Sequence, residues 1–430
     1  MFRCFVIALA LFSAAGFGHA KPLITSSEET LARICLARAE TTDRLISACS
    51  EALEESTLTD FQRNEILTSL GFAYLWNAQE DESEKTFRRV IEDDPTVIEA
   101  WNGLGWSLRT VEDDEAALTA FETSLALGVS TEGLSGKAST GYFTGALSGE
   151  EARQMLEAAL AIQEDYDWAL REIGWVHFND GEFDEAEAIF RRAIEMAPDN
   201  PGGDYGLGRT ALRLGNFDQA LESFNAALEV DPNDVDYMFY QVYSLRRLDR
   251  NAQALRGAER FIEKHPDLSS GYVEKGLALM GLQRRAEAIQ TYVEATEVLG
   301  PNNAIYYWHA DALTYDGRMS EAFEIINNGI ALEGADHTDH LLKSYIALEL
   351  SNYPVARDAA EVSIEMGGDD PWAHYYIAIS MVHLDETEAG LERFAKAMEF
   401  GLPEHRVGVF ASELIAKGKF VEAIQLRIDY

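Results

Sequence analysis

Eleven residues, "WALREIGWVHF" from Trp168 to Phe178, gather two tryptophans, a phenylalanine, a histidine and an arginine. Those types could line a catalytic pocket or a ligand wall, since rings clamp apolar groups and arginine holds a carboxylate through two parallel hydrogen bonds. A second concentration of chemistry is "ADHTDH", where His337 and His340 share a helix face and His374 follows His340 by 34 residues. Three imidazoles suit zinc, but spacing alone does not orient a ligand set. The competing reading is polar residues at a turn and a helix start. "GLSGKAST" around Lys137 has the wrong glycine spacing for a phosphate loop and no strand before it. Neither GxSxG nor HExxH occurs, and no cofactor is implied.

The elements that must position these residues are set by a period. Steps of 34 from Ala152 reach Ala186, Ala220, Ala254, Ala288, Ala322, Ala356 and Gly390. Twelve residues before them stand Gly174, Gly208, Val242, Gly276, Ala310, Ser344 and Ala378, all small but Val242. Four residues after them come larger apolar groups in most units: Leu156, Phe190, Phe224, Tyr292, Ile326 and Phe394. Pro198, Pro232 and Pro266 close units at the same step, where a missing N–H stops a helix. Upstream, "LGFAY" (Leu70 to Tyr74) with Phe87 and Pro95, and "WNGLGW" (Trp101 to Trp106) with Phe121, repeat the theme.

This pattern resembles the tetratricopeptide repeat family over about residues 64 to 404, some ten units. The resemblance implies an all-α, right-handed superhelical solenoid of 34-residue helix–turn–helix repeats, with a concave groove lined by the first helix of each repeat. The physics agrees with the pattern. Small residues let two helices approach, the large one fills the gap toward the next unit, and stacking buries faces that no hairpin could bury alone.

The expected organisation is as follows. Residues 1–20 form a secretory signal, with Arg3 before the apolar "FVIALALFSAAGF" and cleavage after Ala20; an uncleaved anchor is the alternative. Residues 21–63 form a helical cap in which Cys35 and Cys49 pair, as suits an exported chain. The chain must turn back at "AETTDR" for them to meet, with Thr41 or Thr42 as N-cap. Residues 64–132 hold N-terminal repeats. Residues 133–166 form a degenerate, glycine-rich unit read as a weak helix or hinge, restarting at a capping box of Ser148 and Glu151. Residues 167–404 form the longer array, and 405–430 the C-terminal capping helices.

With 74 acidic against 35 basic residues, the formal charge of −39 repels nucleic acid and anionic lipid. No stretch after the signal is long and apolar enough to span a membrane. Transferring the groove positions of the resembled family onto this chain selects Trp168, Arg171, Trp175, Phe178, Tyr205, Arg209, Phe239, Tyr243 and Arg246. Aromatics and arginine are the residues enriched at binding hot spots; the competing reading is rings packed between repeats and arginines paired with acids. The family's carboxylate clamp is not carried over, because the matching positions here are aromatic or apolar. The sequence therefore points to a non-catalytic, exported, periplasmic scaffold that binds a protein or peptide partner. An assembly chaperone or adaptor for envelope proteins is the alternative, and a metal-dependent enzyme using His337, His340 and His374 is the third reading.

Overall fold

The structure, a computed structural model, describes residues 35–36, 41–54 and 58–429. The export segment with its cleavage point after Ala20, and residues 21–34 of the cap, lie outside the described residues. Among the described residues there are 23 helices and no strand. The protein is an all-α helical-repeat solenoid. After the helix Thr42–Leu53, helices alternate as hairpins whose first members begin at Asp60, Ile98, Thr131, Asp167, Pro201, Val235, Ser269, Asn303, His337, Pro371 and His405. The step is 34 residues throughout from Asp167. The helices His405–Ala416 and Phe420–Asp429, expected as a cap, keep this rhythm and form a further hairpin. The hairpins divide into two compact units that meet in sequence at Asp231 and Pro232.

A large side chain four residues after the recurrent alanine explains the period in most hairpins. Phe190, fully buried on the helix Phe183–Met196, lies against Gly174 of its own hairpin and Gly206 of the next. A methyl group on Gly174 would come within 2.7 Å of the ring, and one on Gly206 would overlap it. Phe87 sits between Gly71 and Gly103 in the same way, and Phe121 between Gly105 and Gly136. These three hairpins each insert a ring into a slot that the next hairpin leaves open.

That slot corrects the expectation of a weak helix at the start of 133–166. Thr131–Thr144 is a complete helix whose Gly133, Gly136 and Gly141 are buried. Glycine's poor helix propensity is outweighed here because Gly136 admits the Phe121 ring. The following helix, Gly149–Ile162, starts at the expected capping box of Ser148 and Glu151. The first helix of every hairpin ends in a residue with positive φ, from Ala78 to Gly418. Gly181 supplies it freely, whereas Gln283 holds φ 60° with a side chain, a conformation that costs roughly 1–2 kcal/mol outside glycine.

At the N-terminal end the helix Thr42–Leu53 starts from Thr41. The buried Cys35 and Cys49 lie with Cα atoms 4.9 Å apart and their sulfurs at bonding distance.

Candidate functional site

The first-helix residues selected from sequence fall into both compact units, and each group is described within its own. In the first unit, Trp168 and Trp175 are half-buried on the helix Asp167–Asp180. Trp168 meets Trp106 of the helix Ile98–Thr110 edge-on at 5.2 Å between ring centres. Trp175 touches Tyr205 at 5.7 Å and the buried Phe190 at 5.1 Å. Arg209 donates to the Tyr205 hydroxyl at 2.6 Å and lies 5.4 Å from that ring's centre. Trp175, Tyr205 and Arg209 thus form one half-exposed ledge rooted in the core.

Two residues selected from sequence do not stand open on it. Arg171 is only 6% exposed and pairs with Asp167 at 3.2 Å. A methyl group on Gly202 would meet its guanidinium at 2.7 Å, so the next hairpin covers it. Phe178 is 7% exposed, packed on Trp175 and Phe183 under Arg209 and Arg213. Both are packing residues. His177, at a packing position of the repeat, holds Glu182 at 2.6 Å.

In the second unit, Phe239 and Tyr243 are half-buried and stacked at 6.4 Å on the helix Val235–Arg247. Arg247 donates to the Tyr243 hydroxyl at 2.8 Å. Arg246 is spent internally. Its Nε donates to Glu274 at 2.6 Å and its Nη2 at 3.1 Å, and the glutamate is 3% exposed. Burial raises the Glu274 carboxyl above the usual carboxylate range even with that partner.

Sequence reasoning missed two features. Arg109 donates to the Ser139 hydroxyl at 3.1 Å, which donates to Glu172 at 2.8 Å, linking three consecutive first helices. Burial again raises the Glu172 carboxyl, against the hydrogen bond of Ser139 and the charges of Arg109 and Arg171. The second is Asp311 on the helix Asn303–Tyr315, one turn beyond Tyr307 and one repeat before Tyr345. Among the described residues no side chain hydrogen-bonds or pairs with its carboxylate, and burial alone pushes that carboxyl up to about 6. The groups that feel its charge are the phenols of Tyr307, Tyr345 and Tyr292.

A folded-state value above the unfolded one means stability present below the unfolded value of about 4 is lost as pH rises through about 6. Asp311→Asn should therefore stabilise the chain by about 3 kcal/mol well above pH 6, since each tenfold change in proton affinity is worth roughly 1.4 kcal/mol. Below pH 4 it should change little. Denaturation midpoints of both forms at pH 4 and pH 7.5 measure this, and equal gains at both would contradict it.

The three histidines do not assemble. His374 is buried, its Nε2 3.0 Å from Asp369 and its Nδ1 accepting from Arg393 at 3.2 Å, with the ring stacked on Phe400. His337 and His340 stay half-buried at the start of the helix His337–Glu349. Among the described residues no three His, Cys, Asp or Glu side chains group as a metal would require. A denser polar cluster joins Arg153 to Glu150, Asp180 and Glu182, with Tyr142 donating to Asp180 at 2.7 Å. Each member is occupied by another, as in a structural tie. Among the described residues no helix is long and apolar enough to cross a membrane.

These features define a helical-hairpin repeat protein whose first helices carry the half-exposed aromatic side chains. Three tetratricopeptide-repeat models match it, over residues 149–201, 177–238 and 236–268. Residues 149–268 are tetratricopeptide repeats, and the hairpins on either side keep the same helix–turn–helix form. Solved structures similar to the chain include a tetratricopeptide repeat protein from Parabacteroides merdae, 15% identical, covering 62% of this chain and 98% of that one with a TM-score of 0.48. Yeast Tom70 is 12% identical, with 94% and 96% covered and a TM-score of 0.48. No curated protein matches the sequence.

Proposed function

We propose that the protein is a non-catalytic scaffold, exported to the periplasm with its signal removed after Ala20, that binds an extended segment of a protein partner. The observation that carries this reading is the ledge of Trp175, Tyr205 and Arg209. Its rings are anchored in the core through Phe190 and Phe224 while their edges remain half-exposed. Rigid aromatics beside an arginine lose little entropy on binding, and they dominate interface energetics. Trp168 extends the ledge, and Phe239 with Tyr243 offers similar chemistry in the second unit. The Cys35–Cys49 bond would form in the oxidising compartment and staple the N-terminal end.

The test is crosslinking in producing cells with Trp175→Ala/Arg209→Ala beside the wild type. One stoichiometric protein should be captured, with recovery falling about tenfold or more in the variant, as for loss of a hot spot. A folded variant that keeps its partner would defeat the ledge as the binding surface. Many substoichiometric proteins in place of one would favour the chaperone reading. Fractionation with N-terminal sequencing checks export, the expected first residue being Lys21.

A further inference from the structure

The second unit buries carboxylates in two ways. Glu274 is held by Arg246 through two hydrogen bonds. Asp339 accepts from Asn303 at 3.2 Å and from the backbone N–H of Asp336 at 2.9 Å. Asp311 is treated differently: half-buried, it has no hydrogen bond or ion pair to any described side chain. Desolvating a carboxylate without a counter-charge is costly. It persists where something outside the fold completes it.

The surroundings say what that is. Tyr307 lies one helical turn before Asp311 on the same face, and Tyr345 takes the same register one repeat later. Both rings are half-buried and the Asp311 charge reaches both phenols. The aromatic face continues from Tyr345 to Tyr376 at 6.1 Å and on to Trp372 at 6.2 Å. There the chain already seats a cation of its own, since the Arg406 guanidinium lies 4.8 Å from the Trp372 ring centre and 5.9 Å from that of Tyr375. This face therefore accepts a positive group on its rings, and at Asp311 it offers tyrosine rings together with a carboxylate.

We propose that Asp311, walled by Tyr307 and Tyr345, is a subsite for one cationic side chain, a lysine or arginine of a protein partner. The carboxylate is the counter-ion, the ring faces attract the charge, and the phenol oxygens accept its remaining N–H groups. A neutral ligand would leave the carboxylate uncompensated, and an anion would be repelled. The inference rests on the reading that first-helix faces take a partner segment, but it uses residues separate from the ledge of Trp175, Tyr205 and Arg209.

The test uses the full chain on arrays of random dodecapeptides with a fixed central lysine, arginine, norleucine or glutamate. The wild type should retain lysine- and arginine-centred peptides about tenfold over norleucine, the order expected of a partly desolvated cation–π and charge contact. Asp311→Asn should erase that preference. Tyr345→Leu should reduce it, and Trp175→Ala/Arg209→Ala should leave it intact. Circular dichroism establishes that each variant is folded, and Tyr345→Leu decides the matter should Asp311→Asn not fold. Equal retention of norleucine and lysine by the wild type, or a lysine preference that survives in a folded Asp311→Asn variant, overturns the proposal. If Trp175→Ala/Arg209→Ala loses its cellular partner while Asp311→Asn keeps the lysine preference, the scaffold reading stands and the cation subsite falls.

Discussion

Arg246→Ala should destabilise the second unit by about 3–5 kcal/mol at neutral pH, the cost of leaving a buried charge without its partner. Glu274 is 3% exposed and Arg246 binds it through two N–H groups at 2.6 and 3.1 Å. Burial already raises that carboxyl, so removing the guanidinium leaves a carboxylate that must take up a proton or open the hairpin. The pair itself is worth far less than the cost of breaking it, because desolvating two charges offsets most of their attraction. The double variant Arg246→Ala/Glu274→Ala should therefore recover most of the loss. Urea denaturation of wild type, single and double variants separates these contributions. A double variant as unstable as Arg246→Ala would show that the arginine acts through packing and not through the carboxylate. The same logic warns that a binding assay on Arg246 variants reads stability as well as recognition.

Phe190→Ala should cost about 3–5 kcal/mol, as expected for truncating a fully buried ring. The cavity opens between Gly174 and Gly206, two positions without side chains to collapse into it. The complementary change inverts a familiar sign. Glycine to alanine inside a helix normally gains about 1 kcal/mol. Gly206→Ala should instead lose about 1–3 kcal/mol by overpacking, because the added methyl overlaps the Phe190 ring. Because stability in such arrays is local, hydrogen exchange over Phe183–Met196 and Pro201–Arg213 is the direct readout. A Gly206→Ala variant more protected than wild type would refute the slot.

How much of this was readable in advance follows from where each signal lives. The hairpins were legible because the period is one-dimensional, with Gly174, Ala186 and Phe190 recurring at fixed offsets. The helix Thr131–Thr144 is not legible from local propensity, because Gly136 makes room for a ring contributed by the preceding hairpin. At the candidate site, helical spacing placed Trp168, Trp175 and Tyr205 on one stripe, where they are half-buried. It could not tell that Arg171 and Phe178 on that stripe are covered, since cover comes from the next hairpin. Arg246 was placed in a groove because its partner lies 28 residues away. A trace of that pairing is present: where most repeats put a large apolar residue four places after the recurrent alanine, the unit of Ala254 has Ala258, and Glu274 follows it.

That register carries a consequence for how such a chain can grow. The sixth residue of a first helix is glycine in three places where the preceding hairpin supplies a phenylalanine, Phe87 and Gly103, Phe121 and Gly136, and Phe190 and Gly206; after Phe394 it is instead Phe410, which stacks on that ring. It is Glu172 where the preceding hairpin supplies Leu156, and Glu274 where it supplies Ala258. Repeats are therefore not interchangeable beads. A tandem duplication of residues 167–200 would set a second Glu172 against the Phe190 ring. Where a slot is cut for one ring, the order of hairpins works as a grammar, in which a unit fits only behind a neighbour of matching size.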